Sequence, residues 1–300
     1  MANHRHALCF AGASGDLERM TTLALAPETL EGWYVLQQAF AVDRAALRAL
    51  PNAEFDAMAL EFAAAMAELA GGDGAHGWSA LVPLVGSRAD VMVMHFRPTL
   101  DEIGAAQARV ARTRLADFLT PVEFFLSVTE AGLYYLTAQL AREAAARGGK
   151  VGDDVYKAEL KKRVDAELAT EHVQRRLYPL PPGERMPYVC VYPMDKKRET
   201  GQNWYALPID ERSELMKWHG LTGRKYAGRV LQVISGSIGL DVWEWAVTLF
   251  AADPLEFKKI VSEMRFDEAS AKYGEFGNFY VGRIAAPEDW TRALRGTPAS

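Results

Sequence analysis

The sequence is short of cysteine, of basic excess and of long apolar runs. Its 300 residues hold two cysteines, Cys9 and Cys190, so neither a disulfide framework nor a cysteine zinc site is expected. Lys and Arg number 34 against 39 Asp and Glu, and a net charge of −5 argues against nucleic-acid binding by bulk charge. No apolar run approaches the roughly 18 residues that span a bilayer, and the apolar residues 7–12 are too few for a secretory signal. We therefore expect a cytoplasmic protein with no membrane span and no nucleic-acid partner.

Motifs for zinc and for phosphate are also missing. None of the six histidines is followed by another four positions later, the spacing of a zinc-binding helix. The stretch Gly12-Ala-Ser-Gly15 is not followed by the lysine of a phosphate-binding loop. We expect residues 1–30 to form a loose N-terminal segment.

The remaining composition is that of a globular protein, and its first half has a regular order of elements. Apolar residues make up 49% and charged residues 24% of the chain. Composition, caps and turns predict a strand at Trp33–Phe40, a helix from Asp43 to Leu69 broken near Pro51, strands at about 80–85 and 91–96, a helix from the capping pair Thr99 and Glu102 to about Phe118, and a strand at Val122–Ser127.

The second half repeats this order. The predicted elements are a strand at Tyr188–Tyr192, a helix from Pro208 to His219-Gly220, strands at about 229–235 and 241–250, a helix capped by Asp253–Glu256, and a strand at Phe276–Val281. Gly-Ser turns, Gly86-Ser87 and Gly236-Ser237, stand at matching places in the two halves.

This repetition predicts an α+β fold with an internal duplication. Each half is a β-α-β-β-α-β, or ferredoxin-like, unit, and two such sheets can merge into a β-barrel with outer helices. We divide the chain into a loose segment (1–30), a first repeat (31–130), a helical connector (131–185), a second repeat (186–285) that carries the site, and a C-terminal tail (286–300). The connector is expected to contain two helices.

The candidate chemistry lies between Tyr188 and Phe250. Tyr192 ends an apolar strand and precedes a cationic turn that includes Lys196, and positive charge there would lower the pKa of a tyrosine. His219 falls in the predicted last turn of a helix, where the dipole favours a basic imidazole, and a single axial histidine is what a haem iron needs. The bland alternatives are a core tyrosine, a solvated lysine loop and a histidine that caps carbonyl groups.

Other residues have weaker signals. Arg176 and Arg224 lie near element ends, and together with Lys196 they suggest a ligand with several carboxylates. Gln232 is a neutral amide on a strand. Met194 is by default a gap-filler, and Trp243 and Trp245, predicted to share one sheet face, are by default core.

Longer motifs resemble a known family. They are Tyr192-Pro-Met-Asp-Lys-Lys-Arg198, Asn203-Trp-Tyr, Met216-x-x-His219-Gly, Gly223-Arg-Lys-Tyr-Ala-Gly228, Gly236-Ser-x-Gly-Leu-Asp-x-Trp-Glu-Trp245 and Met264-Arg-Phe-Asp-Glu-Ala-Ser270. In this order they closely resemble the coproheme decarboxylases of the chlorite-dismutase-like family, most densely between Arg175 and Gly282.

The resemblance implies a dimeric α+β barrel fold, a homopentamer and an activity. The activity is oxidative decarboxylation of iron coproporphyrin III at two propionates, with hydrogen peroxide as co-substrate and haem b as product. A transient contact with ferrochelatase would fit such a role in haem biosynthesis.

The resemblance also assigns residues. It implies that His219 is the iron ligand, that Tyr192 acts on the propionate as a radical, and that Lys196 positions the reacting propionate. Arg176 and Ser270 would hold propionates, Arg224 is a further candidate partner, and Met194 and Trp243 would line the reactive pocket. Gln232 would lie on the distal side of the porphyrin.

Gln232 separates relatives within the family. Chlorite dismutases have arginine at that position and some coproheme decarboxylases have histidine, so glutamine argues against chlorite chemistry and leaves no distal base. Two alternatives stay open at this point: a non-catalytic haem or porphyrin carrier, and a chlorite dismutase or peroxidase-like haem enzyme.

Overall fold

The computed structural model of the protein describes residues 24–71 and 76–296. Nine strands and ten α-helices lie within these ranges. The strands are β1 Thr29–Val42, β2 Trp78–Pro83, β3 Val91–Arg97, β4 Leu119–Gly132, β5 Tyr188–Lys196, β6 Val230–Gly236, β7 Trp245–Ala251, β8 Gly274–Phe276 and β9 Tyr280–Arg283. The helices are α1 Arg44–Ala49, α2 Asn52–Leu69, α3 Leu100–Ala111, α4 Tyr134–Ala146, α5 Asp154–Leu168, α6 Glu171–Leu177, α7 Ile209–Arg224, α8 Leu255–Met264, α9 Glu268–Ala271 and α10 Pro287–Leu294.

The strands form one antiparallel sheet that contains both repeats. Its order is β2-β3-β1-β4-β6-β7-β5-β8, with β9 also paired to β5. Strands β4 and β6 join the repeats, and β2 meets β9 where the Ala285 N–H donates to the Leu81 carbonyl at 3.0 Å. The sheet thus closes on itself with the helices outside, which confirms the predicted α+β barrel of two fused ferredoxin-like repeats.

The sheet has an inner and an outer face, and each has its own core. Large side chains from both repeats fill the barrel interior, among them Trp78, Phe96, Phe125 and Phe250. On the outer face of the first repeat, Leu81 and Val93 pack under α2, α3 and α10. The outer face of the second repeat packs Cys190, Tyr192 and Leu249 against Phe257 and Ile260 of α8. The candidate site belongs to this last face.

Some predicted boundaries are wrong. Strand β1 already begins at Thr29 inside the predicted loose segment, of which residues 1–23 lie outside the described ranges. The connector holds three helices, because Asp153 caps α5 and a further turn separates α6. The predicted C-terminal tail begins instead with α10, which buries Trp290 and Leu294 against the first repeat.

Two differences bear on the site. Helix α7 does not stop at His219-Gly220 but continues to Arg224, so His219 lies inside the helix rather than in its last turn. Strand β5 does not turn after Tyr192, because Met194, Asp195 and Lys196 pair with β8. The predicted strand Phe276–Val281 is in fact split into β8 and β9.

Candidate functional site

The site is built on the outer face of the second repeat, where the strand register sets side chains in rows. Tyr192 pairs with Val247, which pairs with Ile234, so these three point outward in one row. The neighbouring row contains Gln232. Tyr192 and Val247 are buried under α8, whereas Ile234 at the β6 end of the row is 37% exposed, so the outer face is covered over β5 and β7 and becomes accessible at β6.

Helix α7 carries His219, and its C-terminal end approaches β6. A Cβ placed on Gly223 would lie 3.3 Å from Nε2 of Gln232, so the end of the helix passes closely over β6. Nδ1 of His219 lies 2.7 Å from Oδ2 of Asp267, and the imidazole is 31% exposed. With Nδ1–H donating to the carboxylate, Nε2 presents its lone pair and can bind a metal.

Asp267 holds this imidazole in place. Its carboxylate caps α9, accepting from the N–H of Ser270 at 3.3 Å and from the Ser270 hydroxyl at 3.2 Å. Burial acts to raise the pKa of Asp267, but the hydrogen bonds from His219 and Ser270 outweigh it and lower the pKa. The carboxylate therefore stays ionised, which strengthens its hold on the histidine.

Tyr192 lies on β5 with its ring stacked on Phe279, the centroids 4.4 Å apart. We expected positive charge to lower its pKa, and this is wrong. Burial raises the pKa of Tyr192 above its ordinary value, helped by Cys190, and the nearby Arg265 offsets only part of the shift. The phenol is therefore protonated at neutral pH.

Lys196 ends β5 and is buried, not set in an exposed turn. Its Nζ donates to the Ala269 carbonyl at 2.8 Å and lies 4.3 Å from the ring centroid of Trp204. Burial lowers the pKa of Lys196 to about 8, although Asp267 and Glu244 favour its charged form. The ammonium thus stands beside Ser270, which neighbours Ala269 in the chain.

Glu244 ties β5 to the turn before β7. It accepts from the Lys196 N–H at 2.9 Å, and its own N–H donates to Asp195 at 2.7 Å. Trp243 precedes this residue and lies outside β7, so the two tryptophans do not share a face. Trp243 packs with Pro193 against the barrel-interior cluster, whereas Trp245 donates its indole N–H to Glu130 at 2.7 Å on the outer face.

The other predicted residues are placed as follows. Met194 is half-buried on the outer face of β5 and pairs with Trp245 and Phe276. Arg176 on α6 and Arg224 at the end of α7 are exposed, and neither bonds to a side chain elsewhere in the described ranges. The structure therefore brings together Tyr192, Met194, Gln232, His219, Lys196 and Ser270, and leaves both arginines at the periphery.

Three residues near the site could not be identified from residue types and spacing. Asp267 carries an N-cap signal three positions before Ser270, but nothing in the sequence links it to a histidine 48 positions away. Arg265 lies over the ring of Phe276 at 3.7 Å and is close enough to act on Tyr192. Phe279 has no signal beyond being aromatic.

The donor set suits a metal that brings its own ligands. No group of three or more His, Cys, Asp or Glu side chains in residues 24–71 and 76–296 could hold a bare metal ion. One partly exposed, carboxylate-backed imidazole fits an iron porphyrin, which supplies four nitrogens itself. Among the described helices, none is long and apolar enough to cross a bilayer.

Comparisons with known proteins point the same way. A family model described as chlorite dismutase matches residues 56–285. A coproheme decarboxylase from Staphylococcus saprophyticus subsp. saprophyticus is 40% identical over 266 residues, which is 88% of this chain and 96% of the relative. One from Staphylococcus carnosus is 40% identical over 268 residues, covering 89% and 97%.

Solved structures share the fold. A haem-binding protein from Thermus thermophilus aligns with a TM-score of 0.73 at 38% identity, over 89% of this chain and 97% of that one. A chlorite dismutase variant from Candidatus Nitrospira defluvii aligns with a TM-score of 0.65 at 18% identity, over 88% and 96%. The second likeness is evidence of the fold alone.

Proposed function

The chain belongs to the chlorite dismutase family, and from that premise we propose that it is a coproheme decarboxylase of haem b biosynthesis. The observation that carries the proposal is the presence, in the same repeat, of His219 on α7, backed by Asp267, and of Tyr192 on β5. The first can hold an iron and the second can relay a single electron.

The proposed substrate is iron coproporphyrin III and the proposed oxidant is hydrogen peroxide. At each of two propionates, the side chain loses carbon dioxide and two hydrogens to become a vinyl group, and peroxide takes up the two hydrogens to become two waters. A monovinyl porphyrin is the intermediate product and haem b the final one. The iron supplies the redox chemistry, and the protein supplies position and electrostatics.

Tyr192 is proposed to take a hydrogen atom from the propionate chain as a radical. Because burial keeps the phenol protonated, its proton and electron must leave together, which suits hydrogen-atom chemistry better than phenolate chemistry. Its stacking on Phe279 fixes the ring orientation. We propose that Met194 and Trp243 border the reactive pocket, Met194 from the outer face and Trp243 from the adjacent turn.

Cations and hydroxyls are proposed to hold the propionates. Nζ of Lys196 donates to the carbonyl of Ala269, the residue next to Ser270 in the chain, and we propose that one propionate carboxylate binds both side chains. Arg176 and Arg224 are exposed and are proposed to take the outer carboxylates. Gln232 is neutral, so on the distal side it can orient peroxide by hydrogen bonds but cannot take its proton.

Three further features are proposed on the family resemblance. These are a homopentameric assembly, a cytoplasmic location and a transient contact with a ferrochelatase that supplies the substrate.

The test is to load the protein with iron coproporphyrin III, titrate hydrogen peroxide and follow product mass. We expect loss of two carbon dioxide units, and Tyr192→Phe should abolish both. Tyr188→Phe, on the same strand, is the matched control and should retain turnover. Unchanged turnover in Tyr192→Phe would remove the radical role. Binding without any decarboxylation would indicate a carrier, and oxygen release from chlorite would indicate a chlorite dismutase.

A further inference from the structure

A lysine ammonium lies over the ring of a tryptophan with no exposed surface. Nζ of Lys196 is 4.3 Å from the ring centroid of Trp204, and its hydrogen bond to the Ala269 carbonyl at 2.8 Å keeps it there. Both partners are buried, so water does not screen the contact. It belongs to the strong, desolvated kind of cation–π pair.

Trp204 is the centre of an aromatic cluster beside the proposed iron site. Its ring centroid is 5.5 Å from that of Tyr273 and 6.1 Å from that of Tyr134. Met216, one helical turn before His219, packs against the same cluster. An oxidant generated at the site therefore has an easily oxidised indole as a close neighbour.

We infer that Lys196 shields Trp204 from oxidation, so that oxidising equivalents from peroxide are directed to Tyr192. This inference rests on the proposed function. Removing an electron from an indole leaves a positive charge on the ring, and an ammonium in a poorly screened interior repels that charge. A second, more exposed ammonium lies near the neighbouring ring, with Nζ of Lys272 5.0 Å from the centroid of Tyr273.

The surroundings of the Tyr192 ring differ from those of Trp204. The tyrosine ring is stacked on Phe279, and within the described ranges no cation lies over it. The neighbouring Arg265 lies over Phe276 instead. Lys196 thus lies over Trp204 and not over Tyr192, and we expect the tyrosine to be the easier of the two to oxidise.

The reaction that Lys196 is inferred to slow is oxygenation of the Trp204 indole. Trp204 and one water molecule together would give up two electrons and two protons, and the indole would keep the oxygen atom of that water, a net gain of one oxygen. Hydrogen peroxide would accept the two electrons and two protons and become two waters.

The test compares Tyr192→Phe alone with the same variant carrying Lys196→Met or Lys196→Arg. The Tyr192→Phe background leaves the oxidant unconsumed in all three proteins, so slower decarboxylation cannot by itself explain a difference. Each protein is loaded with iron coproporphyrin III and given equal equivalents of peroxide. Oxygen gain is then measured by mass spectrometry in the tryptic peptide 199–212, which contains Trp204 but not residue 196.

We expect about thirtyfold more oxidation of Trp204 with Lys196→Met, the factor that loss of a desolvated cation–π contact implies. Lys196→Arg should retain protection. Equal oxidation with methionine and lysine, or equal oxidation with arginine and methionine, would overturn the shield. Trp243, which lies in a different tryptic peptide, serves as internal reference, and Lys196→Gln replaces Lys196→Met if the latter fails to fold.

The proposed function is tested separately, by measuring the mass of the porphyrin product in protein that retains Tyr192. If decarboxylation occurs but Trp204 oxidation does not change between the variants, only the inferred protection of Trp204 by Lys196 is refuted. A change in Trp204 oxidation without decarboxylation would remove the proposed function and leave the shield.

Discussion

In the first repeat the outer face of the sheet is closed, and in the second it is closed over β5 and β7 but partly exposed along β6. Strand register pairs two equivalent rows, Gln38–Val93–Leu81 in the first and Tyr192–Val247–Ile234 in the second. Leu81 is 2% exposed, whereas Ile234 at the matching place is 37% exposed. One topology therefore yields a fully closed outer face in the first repeat and a partly exposed outer face in the second.

The covering helices explain the difference. Helix α2 buries an apolar stripe at helical spacing, Phe55, Met58, Phe62 and Met66. The buried residues of α7 are Ile209, Arg212 and Ser213, all within its first five positions, and His219 follows where the helix has no stripe. The proposed site therefore lies where the covering helix of the second repeat contributes fewer apolar side chains to the core than its counterpart in the first.

The histidines of the two repeats also differ in exposure. His95 of the first repeat is fully buried, with Nδ1 2.7 Å from the Ser79 hydroxyl and Nε2 unpaired among the described residues. His219 of the second repeat is partly exposed and is oriented by a carboxylate. The first is sealed into the structure and the second is available for a ligand.

The largest expected effect comes from removing the available histidine. His219→Ala deletes the protein–iron bond, so we expect an altered visible spectrum of the iron-porphyrin complex. Decarboxylation should fall at least about a thousandfold, ~4 kcal/mol of transition-state stabilisation.

His172→Ala, an exposed histidine on α6, is the control and should change neither. If the spectrum of His219→Ala matched that of the unmodified protein, another group would bind the iron. The greater exposure of His219 relative to His95 would then have no bearing on iron binding.

The second prediction uses the equivalent rows. Leu81→Ala leaves a cavity in a closed core and should lower the free energy of unfolding by about 2–5 kcal/mol. Ile234→Ala removes a half-exposed side chain and should cost less than about 1 kcal/mol while weakening porphyrin binding. Urea denaturation measures the first effect and titration with iron coproporphyrin the second.

Similar losses of stability at Leu81 and Ile234 would mean that the second face is as tightly packed as the first. Weakened porphyrin binding by the Leu81 variant, at a urea concentration where it is fully folded, would be equally damaging.

Local sequence signals were enough for the order of elements. Asp43 and Thr99 were read as caps, and each accepts the expected backbone N–H, from Ala46 at 2.9 Å and from Glu102 at 3.2 Å. The duplication followed from those caps and from the alternating strands. Gly220 was read as a stop, but helix propensity is a weak guide when packing favours continuation.

The site was predicted less completely, because its contacts are long-range. The burial of Lys196 depends on β5 pairing with β8, nearly 80 positions further along the chain. The side of the sheet that Trp243 takes depends on the turn held by Glu244. Residue types alone singled out Tyr192, Lys196 and His219, but their roles and the remaining site residues came from the family resemblance.

The third prediction concerns the sealed histidine. Burial, followed by the positive charge of Arg97, lowers the pKa of His95 from 6.5 to about 3. Below pH 6.5 the unfolded chain binds a proton that the folded chain does not. Stability is therefore complete above about pH 6.5 and falls toward pH 3, by about 1.4 kcal/mol per pH unit from this residue.

Urea unfolding at pH 7.0 and 5.5 measures this slope, and His95→Gln should flatten it relative to the unmodified protein. The control His172→Ala should keep it. An unchanged slope in His95→Gln would show that the imidazole is not sealed from protons.

The smallest expected effect concerns a feature that both repeats have, a side chain that accepts a backbone N–H at the start of a helix. Thr99 accepts from the Glu102 N–H at the start of α3, and Asp253 accepts from the Leu255 N–H at 2.9 Å at the start of α8. Thr99→Ala and Asp253→Ala should each lower the free energy of unfolding by about 1 kcal/mol, measured with urea. Neither should alter iron-porphyrin binding, because both caps lie at helix starts away from His219 and Tyr192. If Asp253→Ala alone weakened that binding, the first turn of α8 would belong to the site, and the two repeats would differ in their helix starts as well as in their covering helices.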